Sequence, residues 1–92
     1  MAKLRCEIST GLRASEVVAK FDDYSGRKHF LRVEKDFLYF DNGSYFLPVA
    51  IVGIDRETDL ILIELPQEAE TGANRLWVSN SQLDEASIEA MA

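Results

Sequence analysis

The chain predicts an all-β fold, a small antiparallel barrel or sandwich of five to six strands with a short C-terminal helical segment. Short apolar runs recur along it, separated by turn residues such as Gly26, Asn42-Gly43, Pro66 and Gly72. Residues 16–22 and 28–34 alternate apolar with polar side chains, the two-residue period of a half-buried strand. Residues 49–54 and 60–65 are apolar at nearly every position on either side of a polar turn, so that hairpin has to be covered on both faces.

Each element follows from its residues. In residues 3–8, Leu4, Cys6 and Ile8 oppose Lys3, Arg5 and Glu7, which reads as an edge strand ended by Ser9-Thr10-Gly11. Residues 1–12 read equally well as a flexible leader. In 16–22, Val17, Ala19 and Phe21 share one side; in 28–34, His29, Leu31 and Val33 do. The loop between them holds Gly26, a residue free to take positive φ, and the two segments form a hairpin. Asn42-Gly43 between the aromatic runs 37–40 and 45–46 is the strongest short-range hairpin signal, because both central residues of a type I′ turn need positive φ. Pro48, which lacks an N–H, marks a break or an edge position before the central hairpin, and Pro66 ends that hairpin. A polar loop over 67–74 leads to a last strand, 75–78, completing a β core over 16–78. Ser81 with Asp84 approximates a capping box, so residues 82–91 read as a short helix or a frayed tail.

Ninety-two residues make one domain, burying roughly 60–70% of the surface that the unfolded chain exposes. Charged residues at 28% and hydrophobic ones at 47% suit an ordinary globular domain. One cysteine rules out an internal disulfide. With no apolar run of signal-peptide or bilayer-spanning length, the expectation is a cytoplasmic protein without a membrane partner. The net charge of −6 opposes nucleic acid as a partner, yet it is unevenly spread: residues 1–35 carry +3 and residues 36–92 carry −9.

No catalytic chemistry is expected. His29 is the only histidine and Cys6 the only thiol, and nothing in their spacing suggests a nucleophile–base pair. His29, on the inward side of its strand, reads as a partly buried structural residue. Cofactors and metals are not implied: Asp55, Glu57 and Asp59 open like a calcium loop, but Leu60 and Pro66 occupy the positions that need glycine and a bidentate glutamate.

The segment Arg75-Leu76-Trp77-Val78-Ser79-Asn80-Ser81-Gln82-Leu83 resembles the close of SH3-like barrels, including PRC-barrel-type domains, where an aromatic-bearing strand leads into one helical turn with a Ser-Asn pair. The resemblance implies a binding module. The expected function is therefore non-enzymatic protein–protein binding or assembly, with Trp77, Arg75, Tyr45 and Phe30 as exposed contact residues. Ala50, Val52, Ile54, Leu60 and Leu62 fall on the second face of the central hairpin. Left in water they would form an apolar patch, so Val52, Ile54, Leu60 and Leu62 are candidates for a homodimer face. The alternative is a nucleic-acid-associated barrel using Arg27, Lys28, Arg32 and Lys35, with Phe30 as a stacking platform.

Overall fold

A computed structural model describes residues 2–84. Seven strands form one antiparallel sheet: β1 (Ala2–Thr10), β2 (Glu16–Asp22), β3 (Lys28–Glu34), β4 (Tyr39–Asp41), β5 (Ser44–Asp55), β6 (Leu60–Glu64) and β7 (Arg75–Val78). The strand order is β3-β2-β1-β5-β6-β7, with β4 a short extra partner of β5. Single 3₁₀ turns cover Lys35–Phe37 and Asn80–Gln82. The sheet curls into a half-barrel because β1 and β5 each change neighbours midway. β1 pairs with β5 through Ala2 to Cys6 and with β2 through Glu7 to Thr10. β5 pairs with β1 and β4 through its first half and with β6 through its second.

The expected alternation is realised in β2 and β3, and β6, apolar throughout in sequence, also buries every second residue. Val17, Ala19 and Phe21, then His29 and Leu31, then Ile61 and Ile63 turn inward and are buried. Leu65, Leu76 and Val78 join them, while Val33 and Ile51 are half-buried against the same core. Full burial of a Leu, Ile or Val side chain stabilises by roughly 1.5–3 kcal/mol, so the fully enclosed Leu4, Leu31, Leu47, Ile61, Ile63 and Val78 dominate the packing. Asn42 and Gly43 take φ of 50° and 79°, the doubly left-handed turn expected of Asn-Gly.

Four features add to the sequence expectation or differ from it. First, residues 2–10 are neither leader nor edge strand: β1 lies between β2 and β5, and Ala2, Leu4 and Cys6 are core residues. Second, Pro48 makes no break, and of the two expectations for it the edge position is the one realised. β5 runs through it because the missing N–H falls where the strand passes from β4 to β6. Third, a β-bulge between Ile51 and Gly53 shifts the register, so Ile54 pairs with Ile61 while staying exposed like Val52. Fourth, the terminal capping box is built by Ser79 and Gln82, not Ser81 and Asp84. It closes one 3₁₀ turn, after which Leu83 is extended again and bridges to Leu4. Positions 85–91 of the expected helix lie outside the described residues. Among the described residues, no helix is long and apolar enough to cross a membrane.

The open side of the half-barrel is strapped by the β6–β7 loop. The Glu70 N–H donates to the Phe30 carbonyl at 2.8 Å, and Gln67 Nε2 donates to the Arg32 carbonyl at 2.9 Å. The strap thus occupies the outer edge of β3, a row of backbone groups that would otherwise invite pairing with another chain. At the other end of the order, the Tyr24 N–H donates to the Trp77 carbonyl at 2.8 Å, drawing the β2–β3 loop onto β7.

Candidate functional site

One concavity opens at a gap in the sheet. Partners of β5 on the β4 side stop at Phe46, and those on the β6 side begin at Ala50, whereas β1 covers the other edge from Tyr45 to Val49. Leu47, Pro48 and Val49 therefore have a strand on one edge only. The result is an open groove of about 680 Å³. Its floor is Pro48, Val49 and Ala50; one wall is Asp36 to Tyr39 and the other is Glu64, Leu65 and Pro66.

Local sequence explains the lining. The 3₁₀ turn holds Leu38 through its N–H to the Lys35 carbonyl at 3.1 Å, and Leu38 packs inward against the core. Its neighbours Phe37 and Tyr39 are then turned outward, 43% and 41% exposed. Lys3 places its ammonium 4.4 Å from the Tyr39 ring centroid, and Arg5 lies 5.7 Å from that of Phe46, so cations of β1 cover the aromatics beside the groove. The formal charges in the lining are the carboxylates of Asp36 and Glu64, the latter held by Arg75 Nε at 2.9 Å. A second groove, of about 530 Å³, shares Phe37 and Pro66 with the first and continues to Arg13, Glu16 and Arg32.

The residues singled out from sequence are placed apart. Trp77 is on the outer face of β7 directly across from Leu62, and Val52 at the bulge and Leu60 extend this strip. Ile54, paired across from Ile61, is exposed as well. Tyr45 is half-buried against the core, with its ring 4.7 Å from Phe40, and is not an exposed contact residue. Arg75 is engaged with Glu64. Phe30 lies on β3 beside Lys20, at the opposite end of the strand order from Trp77. In the basic segment, Lys28 pairs with Asp22 at 3.1 Å and Arg32 with Glu70 at 3.3 Å. Lys35 sits 6.0 Å from the Tyr45 ring centroid, and Arg27 belongs to the turn rather than the strand. Phe37, Tyr39, Pro48 and Pro66 were the missed residues. Pro48 inside an apolar run was the available signal, since a proline in a strand marks an edge without a donor.

A second arrangement joins distant segments. His29 is buried, its Nε2 3.1 Å from Asp23 Oδ2 and its Nδ1 2.7 Å from Thr71 Oγ1. Burial alone would push the Asp23 carboxyl up. The hydrogen bonds it accepts from the side chains of Ser25 and His29 and the backbone of Arg27 and Ser25 outweigh this and hold it down to about 2. An ionised Asp23 accepts only, so Nε2 carries a proton and donates it to Asp23. Hydroxyl, imidazole and carboxylate in series are the parts of a nucleophile–base pair with its orienting acid. Neither of the two grooves, nor a third of about 180 Å³ around Arg5, Lys20 and Gln82, is lined by any of the three. The chain of bonds instead pins the strap to β3 and the β2–β3 loop. Cys6 is buried and its thiol is pushed up to about 11 by that burial. Among the described residues, no group of three or more His, Cys, Asp or Glu side chains is placed to hold a metal ion.

No protein-family profile matches the chain, and comparison with curated proteins and with solved structures finds no match either.

Proposed function

We propose that this chain is a non-enzymatic protein-binding or assembly module, an SH3-like small barrel working in the cytoplasm, that docks protein through the groove between β4 and β6. The observation that carries the reading is the break in the sheet at Pro48. It leaves an apolar trough whose walls present the half-exposed rings of Phe37 and Tyr39 on a rigid scaffold. Half-exposed aromatics beside a preformed hollow are the usual anchors of protein recognition. The Trp77–Leu62 strip is also apolar, but no groove accompanies it among those described. The nucleic-acid alternative has less support, because Lys28 and Arg32 are already paired with carboxylates.

The test is selection of displayed ten-residue peptides on the folded chain, followed by rebinding to Tyr39→Ala and Trp77→Ala variants. Loss of an interface aromatic costs about tenfold or more in affinity, so Tyr39→Ala should weaken the selected peptides by at least that factor while Trp77→Ala leaves them unchanged. Peptides sensitive to Trp77→Ala alone would move the site to the β6–β7 face. A library yielding no binder would remove the reading.

A further inference from the structure

The groove beside Pro48 is electrically one-sided. Two carboxylates, Asp36 and Glu64, are the charges in its lining, and no cation stands with them among the described residues that form it. Glu64 is held by Arg75, but Asp36 makes no ion pair and no side-chain hydrogen bond among the described residues. Lys35, its neighbour in the chain, turns its ammonium toward the Tyr45 ring instead. The two arginines of the adjoining groove are also engaged, Arg13 by Glu16 and Glu34 and Arg32 by Glu70. The rings on the same wall have the same polarity, because the face of an aromatic ring carries the negative part of its quadrupole. Tyr39 already displays that preference, with the Lys3 ammonium 4.4 Å from its centroid. Pro48 and Pro66, on the floor and the far wall, have no N–H to offer an acceptor.

We infer that the partner docked there is a basic peptide segment, in which a Lys or Arg stands beside an apolar side chain. The apolar side chain fills the trough over Pro48, Val49 and Ala50, and the cation lies against the Asp36 carboxylate and the half-exposed ring of Phe37. An acidic segment would instead meet two carboxylates with no cation in the lining to receive it. The wider field acts in the same direction: every residue of the lining belongs to the 36–92 part of the chain, which carries −9. Asp36 is exposed, and an exposed ion pair contributes little affinity, so the apolar contacts supply the strength of binding and Asp36 supplies the choice of partner. The inference rests on the groove being a protein-docking surface and states the chemistry of what it takes.

Displayed ten-residue peptides, selected on the full chain at about 0.1 M salt and kept only if Tyr39→Ala releases them, test this. Their sequences should carry Lys or Arg beside an apolar residue well above the frequency in the library. Rebinding should weaken about threefold on Asp36→Asn and about tenfold on Asp36→Lys, as an exposed charge pair is first lost and then reversed. Both losses should shrink at about 1 M salt. Glu57→Gln is the control for a general attraction to an acidic protein. It removes the same unit of charge from the β5–β6 turn, outside the groove, and should leave the affinities nearly unchanged. Asp36 and Glu57 are both exposed, so neither change disturbs the core, and circular dichroism confirms that each variant is folded. Tyr39-sensitive peptides that are neutral or acidic overturn the inference and leave the docking groove standing. So do basic ones that ignore Asp36, or that lose as much on Glu57→Gln as on Asp36→Asn. A pool with no Tyr39-sensitive member overturns both.

Discussion

Replacing Asp23 with alanine removes one carboxylate and four hydrogen bonds. Those come from Ser25 N–H at 2.9 Å, Ser25 Oγ at 2.6 Å, Arg27 N–H at 3.1 Å and His29 Nε2 at 3.1 Å. The last is the costly one, because His29 is only 1% exposed and its ring N–H is left without an acceptor. A buried unsatisfied donor costs about 1–3 kcal/mol, and with the loosened turn the loss at pH 7 is about 2–4 kcal/mol. The effect carries a pH signature. The folded carboxyl sits at about 2 against 3.8 when free, a depressed value, so its contribution is complete above the free value and disappears as pH falls through 2. Asp23 is 14% exposed, so solvent screening is slight, and the pH-dependent part is about 2 kcal/mol. Urea unfolding followed through Trp77, the only tryptophan, measures it. With a urea slope of about 1–1.5 kcal/mol/M, the midpoint at pH 7 should fall by about 2 M. The gap between wild type and Asp23→Ala should then narrow by about 2 kcal/mol between pH 5 and pH 2. A gap that stays constant over that range, or one below about 0.5 kcal/mol at pH 7, would refute the idea that Asp23 and His29 lock the strap.

Two glycines should behave oppositely when changed to alanine. At Gly11 a Cβ would lie 2.5 Å from the Glu16 carbonyl oxygen, a backbone atom that cannot yield without moving the turn, and the expected loss is about 1–3 kcal/mol. At Gly53 the nearest atom is Leu62 Cβ at 3.8 Å and φ is not positive, so the change should stay within about 0.5 kcal/mol of neutral. Thermal unfolding of both variants checks the contrast. Cys6, buried with its thiol held up at about 11, should resist a thiol-specific disulfide reagent at pH 8 in the folded chain and react fully in denaturant.

The parts of this architecture that local chemistry dictates were readable from residues alone. Alternation placed Val17, Phe21 and Leu31 inside, and Asn42-Gly43 marked its turn. What escaped depends on which strand meets which. The pattern Leu4, Cys6, Ile8 is the same for an edge strand as for β1 in the middle of a sheet; only the pairing with both β2 and β5 separates the two. The bulge before Gly53, which sets Ile54 across from Ile61, could not be read from an apolar run. A glycine within an apolar run was the warning. The lock between His29 and Thr71 spans 42 positions and has no local signature at either end. The groove escaped for a related reason. It is a space between two partners of one strand, and Pro48 alone hinted that such a space existed.

The claim on which the functional account turns is that protein docks at the break in the sheet beside Pro48. Amide chemical shifts of the labelled chain, followed through a titration with a selected peptide, test it directly. The account predicts changes concentrated at Phe37, Leu38, Tyr39, Val49, Ala50 and Leu65. Changes gathered instead on Leu60, Leu62 and Trp77, or a spectrum that does not respond, would contradict it.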